Sequence, residues 1–374
     1  MLKPLPNPED GTVIVGMSGG VDSAVAALLL RDAGYSVQGL FMSNWEDDDG
    51  YCTTASDFQD ARRVCETLGI ALHRVSFAEQ YRERVFSHFL REYAAGRTPN
   101  PDVLCNREIK FGVCLDYMHR LGAGRIATGH YARLRRTEHG TELLKAVDES
   151  KDQSYFLHSV DPAALGRTLF PLGELRKDEV RRRAHAAGLS VHDKPDSTGI
   201  CFIGERPFRE FLARYLPRNP GPIRSAEGEP LGTHEGLAFY TLGQRAGLGI
   251  GGRAGRPAQP WYVAAKDPAS NTLTVAQGGE HPLLAGAGLV SASWHWLTTP
   301  RHAPFAAHLK VRYRQADQPA RLTPRADGGM QVAFEQPQRA ITPGQYAVAY
   351  EAERCLGGGV IDTVSAALPR CAAA

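Results

Sequence analysis

The segment from Thr12 to Leu29 constrains the fold of this chain more than any other stretch. Its first six residues, TVIVGM, are a β-branched apolar run of the kind that fills a strand buried on both faces. Apolar residues at helical spacing follow, namely Val21, Ala24, Val25, Leu28 and Leu29. The intervening SGGVDS is therefore a strand-to-helix loop, in which two glycines let the backbone approach a ligand and the N–H groups of the helix start point toward it. This arrangement predicts an anion site.

Asp22 is the unusual residue of this loop. A bare carboxylate repels phosphates unless a divalent cation bridges the two, so the loop predicts magnesium. Ser18 and Ser23 add hydroxyl donors, and the chain has no G-x-x-x-x-G-K-[ST] pattern that would supply a lysine instead. The alternative is an N-cap turn with an ordinary first-turn acid.

The loop sequence SGGVDS resembles the pyrophosphate loop of the ATP-pyrophosphatase superfamily. Members of that superfamily cleave ATP between the α and β phosphates and adenylate a substrate oxygen. The resemblance implies ATP as the nucleotide.

Composition sets outer limits on the protein's class. The 374 residues suffice for two or three domains, and the 43% hydrophobic and 22% charged content is ordinary for a globular protein. No apolar run approaches the ~20 residues of a membrane span, and residues 1–11 have no apolar core of a signal peptide. We expect a cytoplasmic protein with no membrane partner. The net charge of +2 is too small to indicate nucleic-acid binding, which would have to depend on local patches.

The seven cysteines include no C-x-x-C pair and no Cys/His cluster at zinc-finger spacing. This pattern argues against a zinc or iron–sulfur site, and we assign no set of metal ligands. In a reducing compartment most of these cysteines are expected to be buried hydrophobes, and a pair that forms a disulfide is more often catalytic than structural. The number of cysteines does not show which two of them would form such a disulfide.

Strand and helix patterns alternate after the loop. The patterns of residues 36–42 and 71–77 predict strands, and the pattern of 78–95 predicts a helix. This alternation predicts a parallel, doubly wound sheet. Since ligands bind beyond the carboxyl ends of such strands, we expect Met42 to lie near an adenine. An equally good alternative is that Met42 simply ends a core strand.

The second stretch that carries chemistry is TPNPDVLCN, residues 98–106. Its two prolines argue against a helix up to Asp102, and helical character resumes from Asn106. Cys105 is therefore predicted at or just before a helix start, where the positive helix end favours a thiolate, with Asp102 close enough to exchange a proton. A structural capping cysteine is the alternative. Cys114, inside the same helix, is predicted to belong to the core.

Four later segments complete the pattern of the first 205 residues. The strand 124–131 ends in Gly129, which places that glycine at the ligand-facing edge with His130 just beyond it. The hairpin 133–145 leads to KDQSYFL, whose polar start followed by aromatics indicates a helix start at the rim of the sheet. Residues 176–187 form a basic helix, whose Arg181-Arg182-Arg183 run is interpreted as a solvated face. Cys201 lies in a loop bracketed by Gly199 and Gly204, which favours mobility.

Five motifs in this order resemble one family, the bacterial-type tRNA-specific 2-thiouridylases: SGGVDS, NPDVLCN, TGHYA, KDQSYFL and GICFIG. The resemblance implies ATP-dependent 2-thiolation of uridine in tRNA, at the wobble position, with a persulfide as sulfur source. It implies tRNA and a sulfur-donor relay protein as partners. It assigns Cys105 as the nucleophile, Cys201 as the persulfide carrier and Asp102 as a catalytic residue that faces the target uridine together with Asn100 and Pro101. The implied ATP-binding residues are Gly16, Met17, Ser18, Gly19, Gly20, Val21, Asp22, Ser23, Met42 and Gly129. The implied tRNA contacts are His130, Lys151, Asp152, Gln153, Arg312, Tyr313 and Gln345.

The pattern changes after Gly204. Residues 206–216 read as a helix, prolines 217, 220 and 222 mark a boundary, and short strands with glycine-rich turns follow. The predicted fold is an α/β domain with a doubly wound, adenine nucleotide hydrolase-like sheet (1–205), a small mainly β central domain (206–282) and a C-terminal β-barrel with a frayed tail (283–374). Strand alternation over 308–314 predicts that Lys310, Arg312 and Arg314 share one basic face.

Two other functions remain compatible with parts of this pattern. An adenylating ligase of the same superfamily that acts on a small molecule would use the first loop, but it has no use for paired loop cysteines. A non-catalytic RNA-binding protein would tolerate the loss of Asp22 or Cys201, and both are present.

Overall fold

The first sheet is parallel and lies in the N-terminal half. The computed structural model describes residues 11–45, 54–196, 208–251 and 259–366. Its first seven strands are β1 (Val13–Met17), β2 (Val37–Ser43), β3 (Leu72–Ser76), β4 (Arg125–Ala127), β5 (Arg133–Thr137), β6 (Gly140–Leu144) and β7 (Thr168–Leu169). Five of them form a parallel sheet in the order β3-β2-β1-β4-β7. The strand order reverses at β1, which confirms the predicted doubly wound α/β fold and places the switch point between β1 and β4.

The helices cover both faces of this sheet. They are α1 (Val21–Asp32), α2 (Thr54–Leu68), α3 (Ala78–Tyr81), α4 (Ser87–Ala94), α5 (Pro101–Leu104), α6 (Cys114–Arg120), α7 (Ser154–Leu157), α8 (Pro162–Gly166), α9 (Lys177–Ala186) and α10 (Phe208–Ala213). Wider π-helical turns occupy Arg82–Phe86 and Cys105–Val113. The predicted helix 78–95 is therefore present, with a π-helical stretch in its middle.

Strand β1 shows why the sheet is buried on both sides. Val13 and Val15 belong to a core with α1 and α9, whereas Ile14 belongs to a second core on the opposite face. All three side chains are at most 1% exposed. Alternate residues of a strand point to opposite faces, so an apolar run without polar alternation requires cover on both sides.

Two further sheets follow. The central one contains β8 (Gly221–Ser225), β9 (Pro230–His234), β10 (Trp261–Asp267) and β11 (Thr272–Gln277) in the order β10-β11-β8-β9. The C-terminal one is built from β12 (Ala285–Ser291), β13 (His295–Trp296), β14 (Phe305–Lys310), β15 (Gln318–Pro324), β16 (Met330–Arg339), β17 (Tyr346–Glu351), β18 (Arg354–Val360) and β19 (Thr363–Ala366). Short 3₁₀ turns lie at Leu237–Phe239 and Pro282–Leu284. The mainly β character predicted for the second half of the chain is confirmed.

The β5–β6 hairpin connects the first part of the chain to the C-terminal sheet. Leu144 pairs with Arg354 of β18, and the Lys145 amide donates to the Glu353 carbonyl at 2.9 Å. The C-terminal sheet thus takes two strands from the region predicted as the first domain. The boundaries at 205 and 282 stay predictions.

One hydrophobic core runs through all three sheets. It includes Ile14 from the first sheet, Val263 from the central sheet and Tyr346 from the C-terminal sheet, and Cys105 lies within it. None of the described helices combines the length and the apolar character needed to cross a membrane.

Candidate active site

The loop 18–23 is shaped by its own small residues. Gly19 has a positive φ of 75°, and a Cβ there would lie 2.3 Å from the Asp57 carbonyl oxygen, so this position requires glycine. The Ser23 hydroxyl accepts from the Ser18 amide and donates to the Gly20 carbonyl, both at 3.1 Å. Since the N-cap residue of α1 is Gly20, no cap side chain covers the first N–H groups of the helix. The loop therefore leaves backbone donors for an anion.

Gly129 brings the end of β4 against this loop. A Cβ at Gly129 would lie 2.7 Å from the Ser23 amide nitrogen and 2.8 Å from the Asp22 carbonyl carbon. On the other side, the methyl group of Met42 lies 3.8 Å from the position of a Cβ on Gly16. The predicted nucleotide residues Gly16, Met42 and Gly129 thus border the same edge of the sheet.

The Asp22 carboxylate is bound by a lysine that the sequence patterns did not identify. Lys177 Nζ lies 2.7 Å from Asp22 Oδ1 and 2.8 Å from Oδ2, and the Tyr131 hydroxyl donates to Oδ1 at 2.8 Å. Lys177 is the first residue of α9, and 155 positions separate it from Asp22. No local pattern relates residues so far apart, because their contact depends on how α9 packs beside α1.

Lys177 also binds Asp196. Three cations surround this carboxylate, with Lys151, Lys177 and Arg181 at 2.7, 2.7 and 2.9 Å. Burial by itself raises the pKa of Asp196, but the hydrogen bonds from Lys151 and Lys177 outweigh it and bring the pKa to about 2. Interpreting Arg181 as part of a solvated face was wrong, since it also donates to the carbonyls of His192 and Lys194.

A second lysine that the sequence patterns missed supports the same loop. Lys194 Nζ donates to the Gly19 carbonyl at 3.0 Å and contacts Asp57 and Asp60 at 2.7 and 2.6 Å. We call the charged residues around the loop the loop network. Its members are Asp22, Asp57, Asp60, Lys151, Lys177, Arg181, Lys194 and Asp196. These eight residues supply four cations and four carboxylates, and Arg63 also contacts Asp60 at 3.5 Å.

The side chains near the loop limit how the predicted magnesium ion could be bound. Within the described ranges no group of three or more His, Cys, Asp or Glu side chains could hold a metal by itself. Magnesium at nucleotides is held by one or two carboxylates together with phosphates, so the single carboxylate of Asp22 fits such an ion. Because Lys177 binds both oxygens of Asp22, an ion there requires the lysine to release at least one of them.

The helix before Cys105 starts earlier than predicted. Asn100 is the N-cap, its Oδ1 accepts from the Asp102 amide at 3.2 Å, and Pro101 is the first helical residue. Proline is well suited to that position, since its missing N–H is not needed there and its φ is already helical. Cys105 accordingly lies one turn inside the helix, at the start of the π-helical stretch Cys105–Val113. The predicted placement of Cys105 at the helix start was wrong.

Cys105 is fully buried. Its exposure is 0%, and its surroundings belong to the core shared by the three sheets. Cys65, Cys114 and Cys355 are buried as well, and desolvation raises the pKa of their thiols to about 11, about 12 and about 12. This burial is consistent with the prediction that Cys114 belongs to the core and with the expectation that most of the cysteines are buried hydrophobes. Cys201 lies outside the described residues.

Two of the predicted tRNA contacts, His130 and Asp152, are buried, and a third, Gln153, is partly buried. The His130 ring packs against the rings of Phe111 and Phe170, which also contact each other. Its Nδ1 is 2.7 Å from Thr128 Oγ1, and desolvation holds its pKa well below 6.5. Asp152 is 4% exposed and accepts from the amides of Ala146 and Ser154. Gln153 Oε1 accepts from the Tyr131 amide at 2.9 Å. In this structure Asp152 and Gln153 bond the protein's own backbone amides, and His130 contacts the Thr128 hydroxyl. Their contact with tRNA stays a prediction.

The strand 308–314 departs from its prediction. Strand β14 ends at Lys310, and the chain turns there, with the Val311 amide donating to Gln315 Oε1. Arg312 donates from Nη2 to the carbonyls of Leu242 and Ala340 and to Thr342 Oγ1. The predicted basic face of Lys310, Arg312 and Arg314 was therefore wrong, because a turn has no strand alternation. Tyr313 packs on Phe156 at 4.4 Å between ring centroids, and Gln345 Nε2 donates to the Thr98 carbonyl at 2.8 Å.

Comparison with known proteins decides the family. Residues 11–205 match the model described as the tRNA methyl transferase HUP domain. The chain is 57% identical to the tRNA-specific 2-thiouridylase MnmA of Hahella chejuensis, over 94% of this chain and 97% of that protein. The chain belongs to the tRNA-specific 2-thiouridylase family. Residues 209–277 and 287–361 of this family member match a tRNA methyl transferase PRC-barrel domain and an aminomethyltransferase beta-barrel domain.

Other relatives carry the same name. The chain is 58% identical to the MnmA of Bordetella pertussis, over 94% of this chain and 98% of that protein. It is 55% identical to the MnmA of Pseudomonas entomophila, over 98% of both chains. The resemblance stated from the five motifs is thereby confirmed.

Proposed function

We propose that this chain catalyses ATP-dependent 2-thiolation of a uridine in tRNA, with release of AMP and pyrophosphate. The observation that carries the proposal is the identity of 55 to 58% over nearly the full length to proteins named for this activity. The site supports it, because a loop with backbone donors for phosphates and a buried cysteine belong to one domain. By resemblance, the target is the wobble position.

In the first half-reaction the uridine O2 attacks the α-phosphate of ATP, and pyrophosphate leaves. The N–H groups at the start of α1 would bind the phosphates, and Lys177 would transfer from Asp22 to the charge that develops on the leaving group. Magnesium, when bound at Asp22, would supply further charge neutralisation. The products are AMP bonded to O2 and free pyrophosphate, which makes C2 a better electrophile.

In the second half-reaction sulfur replaces the AMP oxygen. The terminal sulfur of a Cys201 persulfide attacks C2 directly, or the Cys105 thiolate first attacks the Cys201 Sγ and releases sulfide, which then attacks C2. In both versions the C2–O bond breaks and AMP leaves with the oxygen. In the direct version C2 is then still bonded to Cys201 through the two sulfurs, and the Cys105 thiolate attacks Cys201 Sγ, breaks the S–S bond and frees the thiouridine. Both versions end with a disulfide between Cys105 and Cys201. An external thiol then reduces that disulfide by exchange. Asp102, three residues before Cys105, is assigned to proton transfer.

The proposed partners are tRNA and a relay protein that delivers persulfide sulfur, and the proposed location is the cytoplasm. The proposed tRNA contacts are His130, Lys151, Asp152, Gln153, Arg312, Tyr313 and Gln345. Asn100 and Pro101 are proposed to face the target base.

Mass spectrometry of tRNA nucleosides tests the proposal directly. The purified protein is incubated with unmodified tRNA, ATP, magnesium and a sulfur source, and the nucleosides and nucleotides are quantified. We expect 2-thiouridine together with equal amounts of AMP and pyrophosphate. Release of ADP, a methylated nucleoside, or AMP release that does not require tRNA would contradict it. The last result would favour the small-molecule ligase.

A further inference from the structure

The segment before Asn100 is held from the central region of the chain. Lys266 of β10 donates from Nζ to the Gly96 carbonyl at 3.0 Å. The Thr98 and Thr241 hydroxyl oxygens are 3.3 Å apart. Two contacts therefore attach residues 96–98 to the part of the chain that carries the central sheet.

The same segment is held from the C-terminal region. The Thr98 amide donates to the Pro343 carbonyl at 3.0 Å, and Gln345 Nε2 donates to the Thr98 carbonyl at 2.8 Å. Between them, Gly344 has a positive φ of 91°, and a Cβ there would lie 2.9 to 3.0 Å from Thr98 backbone atoms. Both polar groups of the Thr98 backbone are thus bonded to the C-terminal region, and Thr98 is only 7% exposed.

The connection from Thr98 to Cys105 is stiff. Pro99 and Pro101 fix their own φ angles near −65°, and each proline restricts the residue before it. Asn100 then caps α5 through the Asp102 amide, and the helix continues into Cys105. A displacement of Thr98 therefore passes to Asp102 and Cys105 without a flexible residue to absorb it.

We propose that Thr241 and Gln345 are positioning residues, which fix Thr98 and thereby set the positions of Asp102 and Cys105 at the active site. We call Thr241, Pro343, Gly344 and Gln345 the Thr98 clamp. This inference rests on the proposed function for Asp102 and Cys105. It gives Gln345 a role in the tRNA-free protein, in addition to its proposed contact with tRNA.

Gln345→Leu and Thr241→Val test the Thr98 clamp. Each removes one hydrogen-bonding group at nearly constant size, and Thr241 has no proposed tRNA contact. Hydrogen exchange of peptides covering 96–104 is measured without tRNA, and thiolation is measured in single turnover at saturating tRNA. We expect faster exchange in both variants and a single-turnover rate lower by about five- to tenfold, which matches the loss of one hydrogen bond. Affinity for tRNA should fall less than the rate.

Gln338→Leu is the matched control. Gln338 is 7% exposed and bonds Gln315 and the Gln336 carbonyl, so it is a buried glutamine of the same region that does not touch Thr98. It should leave exchange over 96–104 unchanged.

Two results would overturn the clamp. One is unchanged exchange over 96–104 in both variants. The other is weaker tRNA binding by Gln345→Leu with normal exchange, while Thr241→Val behaves like the wild type, which would make Gln345 a tRNA contact only. If Gln345→Leu fails to fold, the exchange and the single-turnover rate of Thr241→Val decide whether the Thr98 clamp positions the site. If the wild type makes no thiouridine, the proposed function fails, and exchange in the tRNA-free protein still decides the clamp.

Discussion

The two halves of the candidate site are held in opposite ways. The phosphate-binding side depends on charges: the eight charged side chains of the loop network lie in and around residues 18–23, and most are about a third exposed. The Cys105 side depends on burial and on neutral hydrogen bonds, as at Thr98 and Asn100. A site that must accept a polyanion needs cations able to exchange partners, whereas a thiol that must attack a persulfide beside the activated base needs a fixed position. The two halves should therefore respond differently to mutation, acid and salt.

The largest expected effects come from the two cysteines, whose variants should lose sulfur transfer and keep adenylation. Cys105→Ser and Cys201→Ser should each abolish thiolation, because serine keeps the size but cannot form the disulfide or hold sulfane sulfur. Cys201→Ser should lose protein-bound persulfide, Cys105→Ser should keep it, and both should still release AMP. Nucleoside mass spectrometry and persulfide labelling measure these outcomes.

Cys114→Ser is the control for Cys105→Ser. Both cysteines are 0% exposed and lie in the same helical run, so both variants bury a hydroxyl in place of a thiol. Cys114→Ser should retain thiolation. Full thiolation by Cys105→Ser or Cys201→Ser would make these cysteines structural.

Asp22→Ala should abolish the other half-reaction, namely tRNA-dependent release of AMP and pyrophosphate. The fold should persist, because Lys177 remains paired with Asp196. Asp32→Ala is the matched control, since Asp32 lies in the same helix, is 56% exposed and pairs only with its neighbour Arg31 among the described residues. Undiminished AMP release by Asp22→Ala would remove Asp22 from the proposed chemistry.

Stability should depend mainly on the buried half. Ile109 is 0% exposed and lies in the π-helical stretch after Cys105, so Ile109→Ala should lower the free energy of unfolding by about 2–5 kcal/mol. Asp57→Asn should cost at most about 1 kcal/mol, because Lys194 keeps Asp60 and the Gly19 carbonyl as partners. Urea unfolding of the two variants measures the difference, and equal losses would contradict the contrast between the halves.

Mild acid should also destabilise the buried half first. Desolvation lowers the pKa of His130 well below 6.5 and that of His158 to about 3. The unfolded chain protonates these groups below pH 6.5 and the folded chain does not, so stability is lost as the pH falls below 6.5. The pKa of Asp196 is about 2 against an ordinary 3.8, so its contribution is lost only below about pH 4. Unfolding measured from pH 7 to 5 should show a decline that His158→Asn makes shallower, whereas an unchanged decline would exclude His158 as its cause.

The smallest expected effect concerns salt. Arg312→Ala should weaken tRNA binding and flatten its salt dependence by about one unit of slope, if one phosphate contact is lost. In the part of the chain that the structure describes, the side-chain hydrogen bonds of Arg312 all use its Nη2. Binding titrations at several salt concentrations measure the slope, with the exposed Arg321 of β15, changed to alanine, as control. An unchanged slope would leave Arg312 as a purely structural cation that bonds Leu242 and Ala340.

The sequence by itself determined the elements whose cause is local. The apolar run of β1, the glycines of the loop and the spacing of α1 specify a strand-to-helix turn, and alternation of strands and helices specifies the parallel sheet. Gly129 was placed at the correct edge because carboxyl ends of parallel strands meet there. The family could be identified from five short motifs, since each keeps its residues close together along the chain.

Only the tertiary structure decided which distant groups meet. Lys177 and Asp22 lie 155 positions apart, and Gln345 and Thr98 lie 247 apart, so no periodicity relates them. The strand predicted through residue 314 ended at Lys310, because the packing of Arg312 against Leu242 and Ala340 favours a turn over continued pairing. Local patterns fix backbone conformation over a few residues, whereas ion pairs and clamps form where separate elements pack, which is a property of the whole fold.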